Sequence, residues 1–427
     1  MNDRDGDSLG PLGRPGPPEE RPPGMRVVLD ARPLQEPERA PATAAYLEHL
    51  LGAYDADPLP GESLALFLQS DLDDPTERFA GLEIVGRRLL PPTRLLGSGA
   101  LTVDPFVLRG AALGVAWRAE RGGAAGAVYH AAGGSTLPLA SHLPIVVTVL
   151  DLAPWELPDA FQRTIATRFG QRLRGRLFRD ARAVIVGTSA VADLARRLLR
   201  IRRDRLRVIP FAPRPAFHPG LTGSAAERER LGLPSRYLVY TGRYDARQDL
   251  ATLLQALVQL AADGRPSDLG DEVVWPPRVL LVGASPGDRA ALARAAARED
   301  IGDALAYAPR LPDDRLATLV AGSRAAILPV VSDATGFPAI DAIACGTPVV
   351  AAAVGALPEV VGTAGILVEP RDPNRLAVAL RTVWLDDRVH GRIGAAARGR
   401  AEANRRTWAD VAAETRRVYA EVGVPGD

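Results

Sequence analysis

The chain has 427 residues, of which 47% are hydrophobic and 24% are charged, and its formal net charge is +1. This composition excludes a fibrous or wholly disordered protein, and the balanced charge gives no global signal for binding a polyanion. The length predicts two or three domains. All 52 basic residues are arginine. Cys345 is the only cysteine, so no internal disulfide can form and a cytoplasmic setting is expected.

The first 24 residues are predicted to form a disordered tail. They contain six prolines and five glycines and too few apolar residues to bury a surface. They also lack the basic and apolar regions of a secretory signal. No apolar run in the chain reaches the ~20 residues that a membrane-spanning helix needs.

Short apolar runs then alternate with longer helical patterns. The first half of the chain has predicted strands at 26–31, 64–69, 145–150 and 183–187, and predicted helices at 42–54, 159–179 and 190–199. The second half has predicted strands at 237–241, 279–282, 325–328 and 348–352, and predicted helices at 250–262, 289–297 and 375–385. This alternation predicts parallel β-α-β units and doubly wound sheets.

Residues 209–219 contain four prolines and are interpreted as a stiff connector at a domain boundary. The predicted organisation is a first domain at 25–212, a linker at 213–233, a second domain at 234–405 and a closing helix at 406–427. The fold class is therefore α/β, with two doubly wound Rossmann-like domains that face a cleft. In such folds, ligands bind at the carboxyl ends of the strands.

Residues 332–367 give the most specific indication of a ligand site. Pro338 suits the first turn of a helix, so the backbone N–H groups near Gly336 and Phe337 are predicted to be unpaired and available to a phosphate. Asp341, one turn further, could accept hydrogen bonds from ribose, and Asp333 from the hydroxyls of a sugar. The alternative is a capped helix with two solvated carboxylates.

Residues 240–250 carry two arginines at the end of a predicted strand, followed by a helix with Asp249 as its N-cap. Arg243 and Arg247 could hold a diphosphate and stabilise it as a leaving group, or could simply be surface residues. In the first half of the chain, His130 and Asp151 follow apolar runs and could lie at the edge of the cleft. His130 could equally be structural.

Two further patterns have competing interpretations. The acidic run at 71–74 could bind a metal, but a solvated loop fits the rest of the chain better, so no metal is predicted. Seven arginines between Arg163 and Arg182 could contact an anionic membrane or a lipid-diphosphate acceptor, or could form a solvated helix face. Aromatic residues do not alternate with these arginines, which argues against nucleic acid as a partner.

Together these segments resemble the family-4 retaining glycosyltransferases, the glycosyl transferases group 1, from about Met25 to the C-terminus. The residues that carry the resemblance are Ala-Cys-Gly-Thr-Pro-Val-Val at 344–350, Leu-Pro-Glu-Val-Val-Gly at 357–362, Asp-Ala-Arg-Pro-Leu at 30–34 and Val-Leu-Asp-Leu-Ala-Pro at 149–154. The resemblance implies a GT-B fold and the transfer of a hexosyl group from a nucleotide-sugar to an acceptor hydroxyl. The transfer would proceed with retention, without a metal or a further cofactor. The acceptor would be a glycan, a lipid or a small molecule.

The resemblance also implies roles for residues. Asp333 and Asp341 stand where the family has two glutamates that contact the donor sugar and ribose, and Arg243 and Gln248 stand where it has an arginine and a lysine on the diphosphate. Base recognition would use the loops after residue 283 and near 307–311. The donor motif is degenerate, because aspartates replace glutamates, glutamine replaces lysine, Leu150 replaces a histidine and a glycine-rich loop is missing. Two alternatives follow: an inactive homologue that acts as a binding or assembly partner, and a nucleotide-sugar epimerase.

Overall fold

The structure is a computed structural model that describes residues 22–119, 126–267 and 269–423, apart from the side chains of residues 98 and 113–119. Most of the predicted N-terminal tail, residues 1–21, lies outside the described residues, as do residues 424–427 at the end of the predicted closing helix.

A seven-stranded parallel sheet occupies the first half of the chain, with the strand order β3-β2-β1-β4-β5-β6-β7. Its strands are β1 (Arg26–Asp30), β2 (Ser63–Gln69), β3 (Ile84–Leu90), β4 (Ala127–Ala132), β5 (Ile145–Thr148), β6 (Ala183–Val186) and β7 (Leu206–Val208). The helices between them are α1 (Arg32–Gln35), α2 (Pro41–Ala56), α3 (Ala100–Ala119), α4 (Ala153–Glu156), α5 (Pro158–Phe161), α6 (Ile165–Asp180) and α7 (Ser189–Leu199).

A six-stranded parallel sheet follows, with the order β10-β9-β8-β11-β12-β13. Its strands are β8 (Leu238–Tyr240), β9 (Val279–Val282), β10 (Leu305–Ala308), β11 (Ala325–Leu328), β12 (Val349–Ala352) and β13 (Gly365–Val368). The helices of this half are α8 (Ala225–Arg230), α9 (Leu250–Ala262), α10 (Pro286–Arg298), α11 (Asp313–Ala321), α12 (Phe337–Ala344), α13 (Leu357–Val361), α14 (Pro373–Leu385), α15 (Asp387–Ala403) and α16 (Trp408–Gly423).

Short 3-10 helices complete the connections at Pro75–Arg78, Thr93–Gly99, Arg203–Arg205, Gly302–Ala304 and Gly362–Ala364. The two sheets each carry helices on both faces, so the predicted fold class is confirmed. Among the residues described above, no helix is long and apolar enough to span a membrane.

Each strand divides its side chains between two apolar layers, because successive residues point to opposite faces of a sheet. In β1, Val27 and Leu29 pack in the layer that contains α2 and α16, and Val28 packs in the layer that contains α3 and α6. Ala334 and Ala356, which belong to the second half of the chain, are buried in that latter layer. The two halves are therefore packed directly against one another.

Helix α16 returns to the first sheet after the second sheet is complete. Arg416 forms an ion pair with Glu62 at 2.6 Å, and the Tyr419 hydroxyl lies 2.6 Å from His130 Nδ1 in β4. Trp408 joins the same apolar layer as Val27 and donates from its indole nitrogen to the Pro213 carbonyl. The last helix thus completes the core of the first sheet.

Several sequence-based predictions need correction. The predicted helix at 159–179 is two helices, α5 and α6, because Thr164 caps α6 and accepts a hydrogen bond from the Thr167 N–H at 3.1 Å. Strands β3, β7, β10 and β13 were not predicted, and for β4 only the apolar run before His130 was noted. Seven helices were not predicted either: α1, α3, α4, α8, α11, α13 and α15. All four missed strands lie at the edges of their sheets.

Candidate functional site: the cleft between the two sheets

A cleft of about 1890 Å³ lies between the two sheets. The first sheet lines it with the loops after β1, β4 and β5, and the second sheet with the loops after β8, β9, β10 and β11. These loops follow the carboxyl ends of parallel strands, where ligands bind in this class of fold. Six of the predicted site residues line the cleft: Asp151, Arg243, Arg247, Asp333, Phe337 and Asp341.

Asp333 has one carboxylate oxygen in use and one free. Its Oδ1 accepts hydrogen bonds from the N–H groups of Thr335 at 2.8 Å and Gly336 at 2.7 Å, and from the Thr335 hydroxyl. Its Oδ2 has no partner among the residues that the structure describes. Burial raises the pKa of Asp333, although these hydrogen bonds oppose the rise. One oxygen therefore holds the start of α12, and the other remains available to a ligand.

The start of α12 differs from the prediction in one respect. Pro338 does occupy the first turn, and Gly336 adopts the left-handed conformation before it. The N–H of Gly336, however, donates to Asp333, and the N–H of Phe337 approaches the Thr335 hydroxyl at 3.4 Å. The prediction that these two N–H groups are unpaired is wrong, because the short polar side chains before the helix satisfy them first.

Asp341 is buried and holds an arginine from the proline-rich connector. Its Oδ1 accepts from the Arg214 N–H at 2.9 Å, and its Oδ2 accepts from Arg214 Nε at 2.8 Å. Arg214 also pairs with Asp313 and stacks on the Phe217 ring, 4.4 Å from its centroid. Burial, the largest influence, raises the pKa of Asp341, and Arg214 opposes this rise. An ionised carboxylate has about four acceptor positions, so two positions remain for a ligand.

The predicted diphosphate-binding arginines already have partners in the structure. Arg243 Nε lies 2.9 Å from Asp245, and its Nη2 donates to the carbonyl of Arg39 in the first half of the chain. Arg247 forms a two-point ion pair with Asp151 across the cleft, contacts Asp245 as well, and stacks on the ring of Phe161. Arg247 and Asp151 therefore tie the two halves of the molecule together.

Gln248 lines the cleft at the position where the resembled family has a lysine. Its side-chain oxygen is buried and has no hydrogen-bond partner within the described part of the chain. A buried acceptor without a partner costs about 1–3 kcal/mol. A ligand that donates a hydrogen bond to this oxygen would remove that cost.

His130 is not at the cleft, and the prediction that it lies at the cleft edge is wrong. It is fully buried between β5 and α16, where its Nε2 lies 2.9 Å from the Thr148 hydroxyl and its Nδ1 lies 2.6 Å from the Tyr419 hydroxyl. Burial lowers its pKa to about 3. Its side chain points into the helical layer instead of along the strand towards the cleft, so it is a neutral core residue.

Sequence reasoning missed a polar network on the first-sheet wall of the cleft. Arg32 donates to both oxygens of Asp30, at 2.8 and 2.9 Å, and to both oxygens of Asp104, each at 3.2 Å. The hydroxyls of Thr93 and Thr136 also donate to Asp104. This network follows β1, where a glycine-rich loop was expected. The Asp-Ala-Arg sequence at 30–32 was noted in the sequence, but Asp104, which pairs with Arg32, lies 72 residues further along the chain.

The acidic run at 71–74 has structural roles in its own loop. Asp71 accepts two hydrogen bonds of 2.8 Å from Arg94, and Asp74 accepts one from the Thr76 N–H at 2.8 Å. No group of three or more His, Cys, Asp or Glu side chains in the described ranges is arranged to hold a metal ion.

The loops expected to recognise a base also line the cleft. They follow β9 at Gly283 and β10 at residues 309–311. Arg289 stacks on Tyr307 at 5.2 Å and lines the same part of the cleft.

The second sheet and its helices establish the family, because residues 235–386 match the family model described as Glycosyl transferases group 1. This part of the chain belongs to that family. For these residues, the resemblance to the glycosyl transferases group 1 is therefore confirmed.

Among relatives, the chain is similar to a D-inositol 3-phosphate glycosyltransferase of Streptomyces avermitilis. The two are 32% identical over 295 residues, which are 67% of this chain and 60% of the relative. The protein of the same description from Streptomyces bingchenggensis is 36% identical over 220 residues, 48% of this chain and 47% of the relative. The chain thus matches about half to three fifths of the length of these relatives.

Solved structures show the same architecture as this chain. Sucrose-phosphate synthase from Thermosynechococcus elongatus superposes with a TM-score of 0.71 at 21% identity, covering 93% of this chain and 98% of that one. Anabaena HepE, solved in complex with UDP and glucose, gives a TM-score of 0.65 at 17% identity and covers 93% and 99%. The predicted GT-B fold is confirmed.

Proposed function

We propose that the protein transfers a hexosyl group from a nucleoside diphosphate sugar to an acceptor hydroxyl, with retention and without a metal, in a cytoplasmic setting. The observation that carries the proposal is the cleft at the carboxyl ends of the strands of both sheets. Its second-sheet wall is formed by residues that match the family model. The nucleotide and glucose in the HepE complex support the same class of ligand. The donor lies on the second-sheet wall, and the acceptor, a glycan, lipid or small molecule, lies on the first-sheet wall.

The two aspartates receive different parts of the donor. Asp341 accepts hydrogen bonds from the ribose hydroxyls at the two acceptor positions that Arg214 does not use. Arg214 holds the carboxylate in a fixed orientation. Asp333 accepts hydrogen bonds from the hydroxyls of the sugar through Oδ2, while Oδ1 keeps its hydrogen bonds to the Thr335 and Gly336 N–H groups. Both roles need the ionised form, and burial raises the pKa of both groups. Donor affinity therefore falls on acidification at a higher pH than exposed aspartates would require.

Because Gln248 cannot supply the positive charge of the family's lysine, Arg243 and Arg247 are the residues that stabilise the leaving diphosphate. Arg243 is about one third exposed, and it can turn from the Arg39 carbonyl towards the ligand. Arg247 can join it only by leaving Asp151. In the reaction, the acceptor oxygen bonds to the anomeric carbon on the face from which the diphosphate departs. The bond from that carbon to the phosphate oxygen breaks, and the proton of the acceptor hydroxyl passes to the departing phosphate.

A second candidate function is an inactive homologue that binds a partner instead of transferring sugar. It is favoured by one observation: the N–H groups at the start of α12 and the Arg247–Asp151 pair are already satisfied within the protein. Gln248 is also neutral where the family's lysine is positive.

A calorimetric titration of the folded protein with UDP, GDP, ADP and their common sugar conjugates tests the proposal. Micromolar binding of one nucleotide supports a working donor site and names its base. Turnover that then requires an acceptor supports transfer, whereas donor conversion without an acceptor points to an epimerase. An absence of binding across the panel overturns the proposal in favour of the inactive homologue.

A further inference from the structure

Three segments of the first half form one continuous surface: the 3-10 helix Thr93–Gly99, α3 and α6. Helices α3 and α6 cross closely, because Gly170 in α6 lies against Leu101 in α3. A Cβ atom at Gly170 would come within 2.5 Å of the Leu101 Cβ. We call the exposed side of these three segments the α3–α6 face.

The α3–α6 face exposes large apolar side chains. Of the ten large hydrophobic residues that are exposed in the described ranges, six lie here: Leu95, Leu96, Val103, Phe106, Ile165 and Phe169. Ile165 is 80% exposed and Leu95 is 74% exposed. Single exposed apolar residues are ordinary, but a contiguous group of this kind marks an interaction site.

The same face carries arginines that have no acidic partner. Arg168, Arg172, Arg176 and Arg179 follow one another at helical spacing on the exposed side of α6, beside Ile165 and Phe169. Within the described residues, none of the four forms an ion pair with a carboxylate. The arginines of the cleft differ from these four. Each of Arg32, Arg214 and Arg247 forms ion pairs with two aspartates.

The α3–α6 face also borders the first-sheet side of the cleft. Arg94, Ala100, Leu101 and Asp104 belong to the same segments and line the cleft. Whatever covers the face therefore lies next to the wall on which the acceptor is proposed to bind.

We propose that the α3–α6 face binds the surface of a membrane that contains anionic lipids. Apolar side chains at the centre of such a surface enter the boundary between headgroups and acyl chains, and arginines beside them bind the lipid phosphates. A second copy of the chain fits less well. A two-fold symmetric dimer would place the same face of each copy together and bring eight unpaired arginines into contact.

Vesicle flotation tests this inference. We expect the full chain to float with phosphatidylcholine vesicles that contain phosphatidylglycerol, and to float much less with phosphatidylcholine alone or at high salt, which screens the arginines. The variant R168Q/R172Q should lower the partition coefficient about 25-fold, because each arginine near an anionic surface contributes about fivefold. The control R388Q/R392Q, with the same spacing on α15, should bind like the wild type.

The apolar contribution needs its own variant. I165S/F169S should abolish binding, while V378S, which changes a residue 66% exposed on α14, should not. All of these residues are exposed, so circular dichroism and the nucleotide titration should be unchanged. The inference is overturned if the wild type does not bind anionic vesicles, or if the variants float as the wild type does. It is also overturned if the protein forms a dimer that I165S/F169S dissociates. None of these outcomes bears on the nucleotide site.

Discussion

Asp341 and Arg214 show how much of a residue's role can be predicted before its neighbours in the fold are known. The acidic position was found from its place one turn into a helix, but its arginine is 127 residues away and lies in a segment that looked like a mere linker. Sequence spacing cannot reveal a partner that only the tertiary fold brings close. The same holds for Asp104 and Arg32.

We predict that D341N weakens the binding of the favoured nucleotide at least tenfold. The change removes a charged acceptor of the ribose hydroxyls, and hydrogen bonds to charged groups contribute about 1.5–3 kcal/mol. Calorimetry measures the effect. D313N is the matched control, because it removes the other carboxylate that pairs with Arg214 but leaves Asp341 in place. Equal losses in both variants would mean that the orientation of Arg214, and not the Asp341 carboxylate, holds the nucleotide.

His130 makes stability depend on pH. In the folded protein its pKa is about 3, and an unfolded histidine has a pKa of 6.5. Between these values only the unfolded state takes up the proton, so acidification favours unfolding. The free energy of unfolding should fall by about 1.4 kcal/mol between pH 7.5 and 5.5 through this residue alone.

Urea unfolding of the wild type and of H130Q at both pH values isolates this contribution. Glutamine can keep hydrogen bonds to Thr148 and Tyr419 but does not titrate, so the wild type should lose about 1.4 kcal/mol more than H130Q does. An equal pH dependence in both proteins would show that His130 has the same pKa in the folded protein as in the unfolded chain.

At the scale of elements, the sequence predicted the central strands except β4, of which it showed only the apolar run before His130, and it missed the edge strands. Strands β1, β2, β5, β6, β8, β9, β11 and β12 are nearly continuous apolar runs, because both of their faces are buried. Strand β3 lies at an edge and contains Arg87 and Arg88 on its exposed surface, so it lacks this pattern. The helix at 337–344 was predictable because Pro338 and the glycine before it are local signals.

Helix α12 offers a way to separate structure from binding at Asp333. D333A should lower the free energy of unfolding by about 1 kcal/mol or more, because it removes the carboxylate that accepts hydrogen bonds from the Thr335 and Gly336 N–H groups in the turn before α12. D333N keeps an oxygen for the hydrogen bonds of this turn but loses the charge that faces the cleft. It should retain wild-type stability and nucleotide affinity and yet bind the nucleotide-sugar no more tightly than the free nucleotide.

Chemical denaturation and paired titrations with nucleotide and nucleotide-sugar measure these two effects. If D333N still prefers the sugar conjugate as the wild type does, Asp333 acts only by stabilising the turn before α12.

At the scale of the whole molecule, side chains from each half close the cleft. Arg247 pairs with Asp151, and the carboxylate of Glu359 accepts from the N–H groups of Ser189 and Ala190 at the start of α7. The second contact places a negative charge at the positive end of a helix in the other half. Both contacts are polar and partly solvated, which suits an interface that opens and closes.

We predict that R247Q opens the cleft in the absence of ligand. Small-angle scattering should give a larger radius of gyration for R247Q than for the wild type, because the two-point ion pair across the cleft is lost. R381Q is the control, since Arg381 pairs with Asp263 within the second half of the molecule. Unchanged scattering for R247Q would show that the buried apolar contacts of Ala334 and Ala356 suffice to keep the cleft closed.

The return of α16 to the first sheet has a consequence for biosynthesis. The ribosome releases β1 to β7 early, yet His130 and Glu62 must wait for Tyr419 and Arg416, which emerge only after all six strands of the second sheet. The core of the half that is translated first is therefore completed only after the second sheet has been translated. During translation the apolar surface that binds α16 stays uncovered until this helix has been made.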